Sequence, residues 1–287
     1  MIGGVEIFKY FKRNWKDLIT ILSVPTLLWF LFFLPANVKE SMILHKEYQN
    51  GCDLFLSHYV HETYDHIIPN VLFYLVFSFL LYSCLSKLGK EKLFRLIFVV
   101  NCIALPFILS FIWIPVNKYF FTTAQRTCGF SGIVAAFMGS FVFSYILFLK
   151  VKLNIDEFYA YLSSIILIAF MFTVIYFNVS STEVIIVLII VLCITFAIFL
   201  WSTYKFIKSI KEEAKLRLIR LSKKRWLVEI LPFFHYLLII ALSFALFPRD
   251  TSRDSSAINF VMHYFGFILG ICVAYQIYAW MERRQKL

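Results

Sequence analysis

Residues 129–149 read GFSGIVAAFMGSFVFSYILFL, a run with no charged side chain. At 1.5 Å per residue such a run forms a helix about 30 Å long, which matches the hydrocarbon core of a bilayer. Ser131 stands at its start. Ala135 and Gly139 are small and share the Ser131 side of the helix. A second run opens with His263-Tyr264-Phe265-Gly266-Phe267-Ile268-Leu269-Gly270 and continues to residue 281. A third opens with His66-Ile67-Ile68-Pro69-Asn70. A serine, a histidine and a pair of hydrogen-bond donors therefore each stand at the head of an apolar segment.

Composition sets the class. The chain has 287 residues, of which 61% are hydrophobic and 16% charged, and its mean hydropathy is +0.79. Soluble domains carry about 25% charged residues, so this is an all-α polytopic membrane protein. The net charge of +11 belongs with the positive-inside rule rather than with nucleic acid. The six cysteines show no CxxC or CxxH spacing, so no metal site is expected from them. No cofactor is implied.

Uncharged runs near 20 residues mark eight spans: 18–38, 67–86, 96–117, 127–149, 158–182, 184–204, 230–248 and 255–281. The chain reads as a single transmembrane domain over residues 1–287, with a basic cytoplasmic loop at 205–226. Of the 28 Lys and Arg residues, 22 lie in the N-terminus, 87–95, 150–152, 205–225 and the C-terminus. That asymmetry places both ends of the chain in the cytoplasm. The segments headed by His66, Ser131 and His263 then all run from outside to inside. Their polar residues fall within roughly the outer 12 Å of the membrane. Three spans separate Ser131 from His263; an even number would have put them on opposite sides.

A serine hydroxyl needs a base, and histidine is the natural one near neutrality. His263, Gly266 and Gly270 line one helical face. That face has no bulk below the imidazole and can press against the Ser131 helix. Small-residue packing alone would explain Gly266 and Gly270, but not a histidine at that depth. No Asp or Glu lies at that depth in either run, so the pattern is a dyad rather than a triad. His66 and Asn70, at i and i+4, are candidate oxyanion donors, together with the Ser131 backbone N–H. Pro69 suits the first turn of a helix. His58, His61, Glu62 and Asp65 would make the water approach polar. His61 and His66 are five apart and do not form the HExxH zinc pattern.

These strings resemble the rhomboid family of intramembrane serine proteases, which pairs a GxSG serine with a histidine in HxxGxxxG and carries HxxxxHxxxN in its second helix. Here they are Gly129-Phe130-Ser131-Gly132, then His263 with Gly266 and Gly270, then His61, His66 and Asn70. The resemblance implies an endopeptidase of the cell membrane that cleaves a transmembrane protein substrate near the outer end of its helix. It implies Ser131 and His263 as catalytic residues, His66 and Asn70 at the oxyanion, and Gly129, Gly132, Gly266 and Gly270 as close-packing support. The chain departs from the family in carrying three spans between serine and histidine, where one is usual. It also has Ala135 where many members have a tyrosine stacked on the imidazole.

Segments 158–182 and 184–204 are expected to lie outside the catalytic bundle, and the basic loop to lie on anionic inner-leaflet lipid. His235 reads as a packing histidine. Cys52 and Cys128 both fall outside and could pair as a disulfide. A rhomboid-like protein that binds membrane helices without cleaving them, or an eight-span transporter, would be the rival classes. The retained serine and histidine argue against the first. The lack of paired intramembrane charges argues against the second.

Overall fold

A computed structural model describes residues 2–45, 51–119, 126–153 and 256–285. Its elements are α1 (Ile2–Phe32), α2 (Ala36–Glu40), β1 (Leu44–His45), α3 (Asp53–Leu56), α4 (Tyr64–Lys87), α5 (Glu91–Val99), a π-helical turn (Val100–Ala104), α6 (Leu105–Tyr119), β2 (Arg126–Thr127), α7 (Ser131–Leu153) and α8 (Ser256–Gln285). Five stretches are long and apolar enough to cross a membrane: Trp15–Phe32, Tyr64–Lys87, Glu91–Val116, Ser131–Val151 and Met262–Arg284. The structure is therefore an all-α bundle of membrane-spanning type. The expected spans at 158–182, 184–204 and 230–248, His235 and the basic loop at 205–226 lie outside the described residues.

α7 is the axis of the bundle. Its span is 89% buried, against 22–50% for the other four. The sequence gives the reason, because α7 is apolar around its whole circumference and can be surrounded on every side. α4 and α8 both pack on it. Along the middle of α4 the exposed side chains, such as Ile68, Leu72 and Val76, are apolar, as a lipid-facing surface requires.

The ends of the helices follow local rules. α4 stops at a Schellman turn: Gly89 takes φ +69°, its N–H reaches the Ser86 carbonyl at 3.0 Å, and the Lys90 N–H reaches Leu85 at 2.8 Å. α5 follows at once. At this end of the bundle Arg95 grips the buried Asp17 with two hydrogen bonds of 2.7 and 3.1 Å, and Lys90 meets Glu282 at 2.8 Å. At the other end Arg126 joins Glu40 (2.8 Å) and Glu62 (2.9 Å). β1 and β2 pair there antiparallel, with Leu44 opposite Thr127 and His45 opposite Arg126.

Two prolines inside helices are offset by tyrosines. Proline has no N–H, so the carbonyl four residues earlier loses its helical donor. Pro25 orphans Ile21, and the Tyr74 hydroxyl from α4 donates to that carbonyl at 3.0 Å. Pro106 leaves the π turn, where the Leu105 N–H reaches back five residues to Val100, one donor short, and the Tyr59 hydroxyl donates to the Cys102 carbonyl. In the apolar interior of such a bundle an unpaired carbonyl is costly.

Pro69 departs from expectation. α4 begins at Tyr64, so Pro69 sits in its second turn rather than its first. The carbonyl it orphans belongs to Asp65, an exposed residue at the helix mouth, where solvent can take the place of the missing donor.

Tyr74→Phe should destabilise the protein by about 1–2 kcal/mol. In a Pro25→Ala background the restored N–H serves Ile21, and the same change should cost clearly less. Unfolding in detergent measures both. Equal penalties in the two backgrounds would show that the hydroxyl does not replace the missing donor.

Candidate active site

The site is built around the first residue of α7. Gly129 takes φ +122°, a conformation that side-chain-bearing residues rarely adopt. Its N–H donates to the Ser57 carbonyl at 2.8 Å. A Cβ at Gly129 would lie 2.5 Å from the His66 ring, so glycine is required twice over: for its dihedral and for the imidazole seated on it. Phe130 is fully buried between the rings of Tyr59 and Tyr74, at 5.3 and 5.6 Å. Its carbonyl accepts from Ile133 and Val134 at 3.0 Å each, which starts the helix. Ser131 and Gly132 thus occupy the first turn, where N–H groups have no intrahelical acceptor and the helix dipole favours negative charge.

α8 meets α7 backbone to backbone. A Cβ on Gly266 would lie 2.1 Å from the Gly132 carbonyl oxygen, and one on Gly270 would lie 2.1 Å from that of Ala136. From the other side, a Cβ on Gly139 would lie 2.0 Å from the Phe267 carbonyl oxygen. The register is constant, 266 on 132 and 270 on 136, so the two helices run in the same direction. One turn before Gly266, His263 falls level with residue 129, just beyond the serine end of α7. Its neighbour Met262 is 3.6 Å, through its carbonyl oxygen, from a Cβ placed on Gly132. Deeper in the same seam, Ser140 Oγ donates to the Gly270 carbonyl at 3.0 Å and accepts from Asn101 Nδ2 at 3.1 Å.

His66 and Asn70 stand on the Gly129 side of Ser131. Asn70 is buried, and its Nδ2 donates to the His66 carbonyl at 2.8 Å and approaches His61 Nε2 at 3.2 Å. A small cavity of about 20 Å³ lies beside the serine turn, lined by Gly129, Ser131, Gly132, Ser57, Trp113 and Met262 among others. Ser57 Oγ and Trp113 Nε1 are buried without hydrogen-bond partners among the described residues. A cavity that size with polar lining can hold one water molecule.

Two expectations are corrected. His58 and His61 do not line a water approach: both are buried, His61 completely, because the 51–63 segment folds in against α6. His58 Nε2 lies 3.0 Å from Ser110 Oγ, and the Ser110 hydroxyl is 2.7 Å from the Leu54 carbonyl. Glu62 and Asp65 are exposed, as expected. Cys52 and Cys128 are free thiols; Cys52 is exposed at the head of α3, while burial beside Gly129 pushes the Cys128 thiol up to about 12. His61 also proves to touch the site at several points, beyond the single place in a spacing pattern by which the sequence marks it. Among the described residues no cluster of His, Cys, Asp or Glu could hold a metal ion.

No family model matches the chain, and no curated protein and no solved structure does so either.

Gly266→Ala and Gly270→Ala should each destabilise the protein by about 1–3 kcal/mol, because each methyl meets backbone that cannot turn aside. Gly51→Ala, with nothing within 4 Å of its Cβ, should leave stability unchanged. Comparable shifts at positions 51 and 266 in detergent unfolding would contradict the contact.

Burial lowers His58 to about 4. It lowers His61 to about 3, with help from His66. Both bind fewer protons folded than unfolded between those values and the ordinary 6.5. Their stabilising effect is complete above about pH 6.5 and is lost as pH falls, by up to about 1.4 kcal/mol per pH unit for each histidine. Unfolding midpoints should therefore drop between neutrality and about pH 4, and His58→Gln should flatten that slope.

Proposed function

We propose that this chain is a rhomboid-type intramembrane serine protease, cleaving transmembrane helices near their outer end through a Ser131–His263 dyad. The observation that carries the reading is the fixed register of α8 on α7. Gly266 against Gly132 and Gly270 against Ala136 leave residue 263 level with the serine end of α7. The His66 ring rests on Gly129 from the opposite side. The three strings that resemble the rhomboid pattern thus converge on one end of one bundle.

In this reading His263 takes the Ser131 proton as Oγ attacks the scissile carbonyl carbon. The tetrahedral oxyanion is met by the His66 ring and by the first-turn N–H groups of α7, whose dipole points the right way. His263 then passes the proton to the leaving amine. Water held in the cavity beside Ser57 and Trp113 hydrolyses the acyl-serine, again through His263. The substrate helix must unwind to expose its peptide bond, which small or helix-breaking residues ease. Orientation of His263 comes from packing or from another hydrogen bond, and the close approach of its helix to α7 fixes its depth. The end bearing Lys90 and Arg95 is the cytoplasmic one, consistent with the excess of basic loops there, and the site faces the outer side of the cell membrane.

Purified protein, incubated with a generic transmembrane substrate and with a fluorophosphonate label, tests this. Wild type should cleave and label. Ser131→Ala should do neither, and His263→Ala should lose both while remaining folded. His66→Ala should keep binding but turn over about 10²–10³-fold more slowly. Cleavage by the purified Ser131→Ala protein would end the serine-protease reading.

A further inference from the structure

Three parts of the site converge on one imidazole that the proposed chemistry does not use. His61 is completely buried. Its Nε2 lies 3.3 Å from the Phe130 N–H and 3.2 Å from Asn70 Nδ2. Its ring meets the His66 ring edge to face, with centroids 4.9 Å apart.

The chemistry of these partners fixes the proton. A backbone N–H can only donate. The Asn70 atom at 2.8 Å from the His66 carbonyl must be the amide nitrogen, because two carbonyl oxygens would repel. Both groups therefore present hydrogens to Nε2, which must carry a lone pair, and the proton sits on Nδ1.

We propose that His61 is a positioning residue: as the neutral Nδ1–H tautomer, its Nε2 accepts from the Phe130 N–H and the Asn70 amide and so fixes the serine turn against His66. The Phe130 N–H lies at the head of α7, buried under Tyr59 and Tyr74, where no helical carbonyl can serve it. Without His61 it has no acceptor, and the turn that carries Ser131 loses its tie to α4. Asn70 then acts by bracing His61 and the His66 backbone, with both of its amide hydrogens engaged there and away from the oxyanion. Protonation of His61 would set an N–H against two donors, and burial, which holds its pKa near 3, opposes that.

The kinetic consequence rests on the serine-protease reading; the tautomer does not. Glutamine places an acceptor oxygen where Nε2 stands, whereas leucine fills similar volume without one. His61→Leu should lower both kcat and the fluorophosphonate labelling rate by about 10²-fold, with KM nearly unchanged. His61→Gln should recover at least about tenfold of that loss. Nitrogen-15 spectra of histidine-labelled wild type, with the His61 signal assigned by its absence in His61→Gln, should show a protonated Nδ1 and a bare Nε2 at neutral and mildly acidic pH. A protonated Nε2, or equal losses in the Leu and Gln variants, would overturn the proposal, as would a loss confined to KM. If wild type neither cleaves nor labels, the protease reading fails and the spectrum alone decides the role of His61. If His61→Leu does not fold, the Gln variant and the spectrum decide it.

Discussion

The seam between α7 and α8 is the constraint on which the rest of the structure depends. In lipid there is little hydrophobic force to drive one helix onto another, so association rests on close packing and on polar contacts. Here the packing is backbone on backbone. The Cα atoms of Gly266, Gly270 and Gly139 meet the carbonyls of Gly132, Ala136 and Phe267 at distances that leave no room for a methyl group, and such contacts also permit weak Cα–H···O interactions. Ser140 adds one directed hydrogen bond to the Gly270 carbonyl. Once that register is set, the depth of residue 263 relative to Ser131 is no longer adjustable.

The other elements hold the serine turn from the opposite side. The 51–63 segment is irregular, yet it lies among helices. Several of its polar groups find partners there: the Tyr59 hydroxyl on the Cys102 carbonyl, His58 beside Ser110, the Ser57 carbonyl on Gly129, and His61 on Phe130. Irregular backbone among membrane-spanning helices is tolerated only when such partners exist. The prolines are thus part of the design of the docking surface. The π turn ahead of Pro106 offers an acceptor that the incoming segment uses, and Pro25 frees one that ties α1 to α4.

Much of this was legible in the sequence, for a physical reason. Apolar runs, helix-period glycines and the serine and histidine that interrupt them are local patterns, and they placed Ser131, His263, His66 and Asn70 at one end of long helices, where the structure also has them. The direction of the Asn70 amide was not legible. It depends on the His66 carbonyl and on His61, and the His61 contact to Phe130 spans 69 residues of chain. The burial of His58 and His61 was missed because polar residues beside a span read as a wet loop unless the fold supplies partners, and those partners, Ser110 and Phe130, are remote in sequence. Pro69 falls one turn later than the sequence suggests because α4 starts at Tyr64 and takes in Asp65 and His66, ahead of the uncharged run at 67 that marks the span.

The composition of the seam also has an entropic meaning. Side chains that pack usually surrender rotamers, but Gly and Ala have none to lose. The helices themselves are already formed in a bilayer, because lipid forbids an unpaired backbone. Bringing α8 onto α7 therefore restricts little beyond the rigid-body freedom of two rods. Completion of the site is in this sense a docking event distinct from the folding of its parts, and the geometry it reaches is set chiefly by backbone shape, with little search through side-chain conformations.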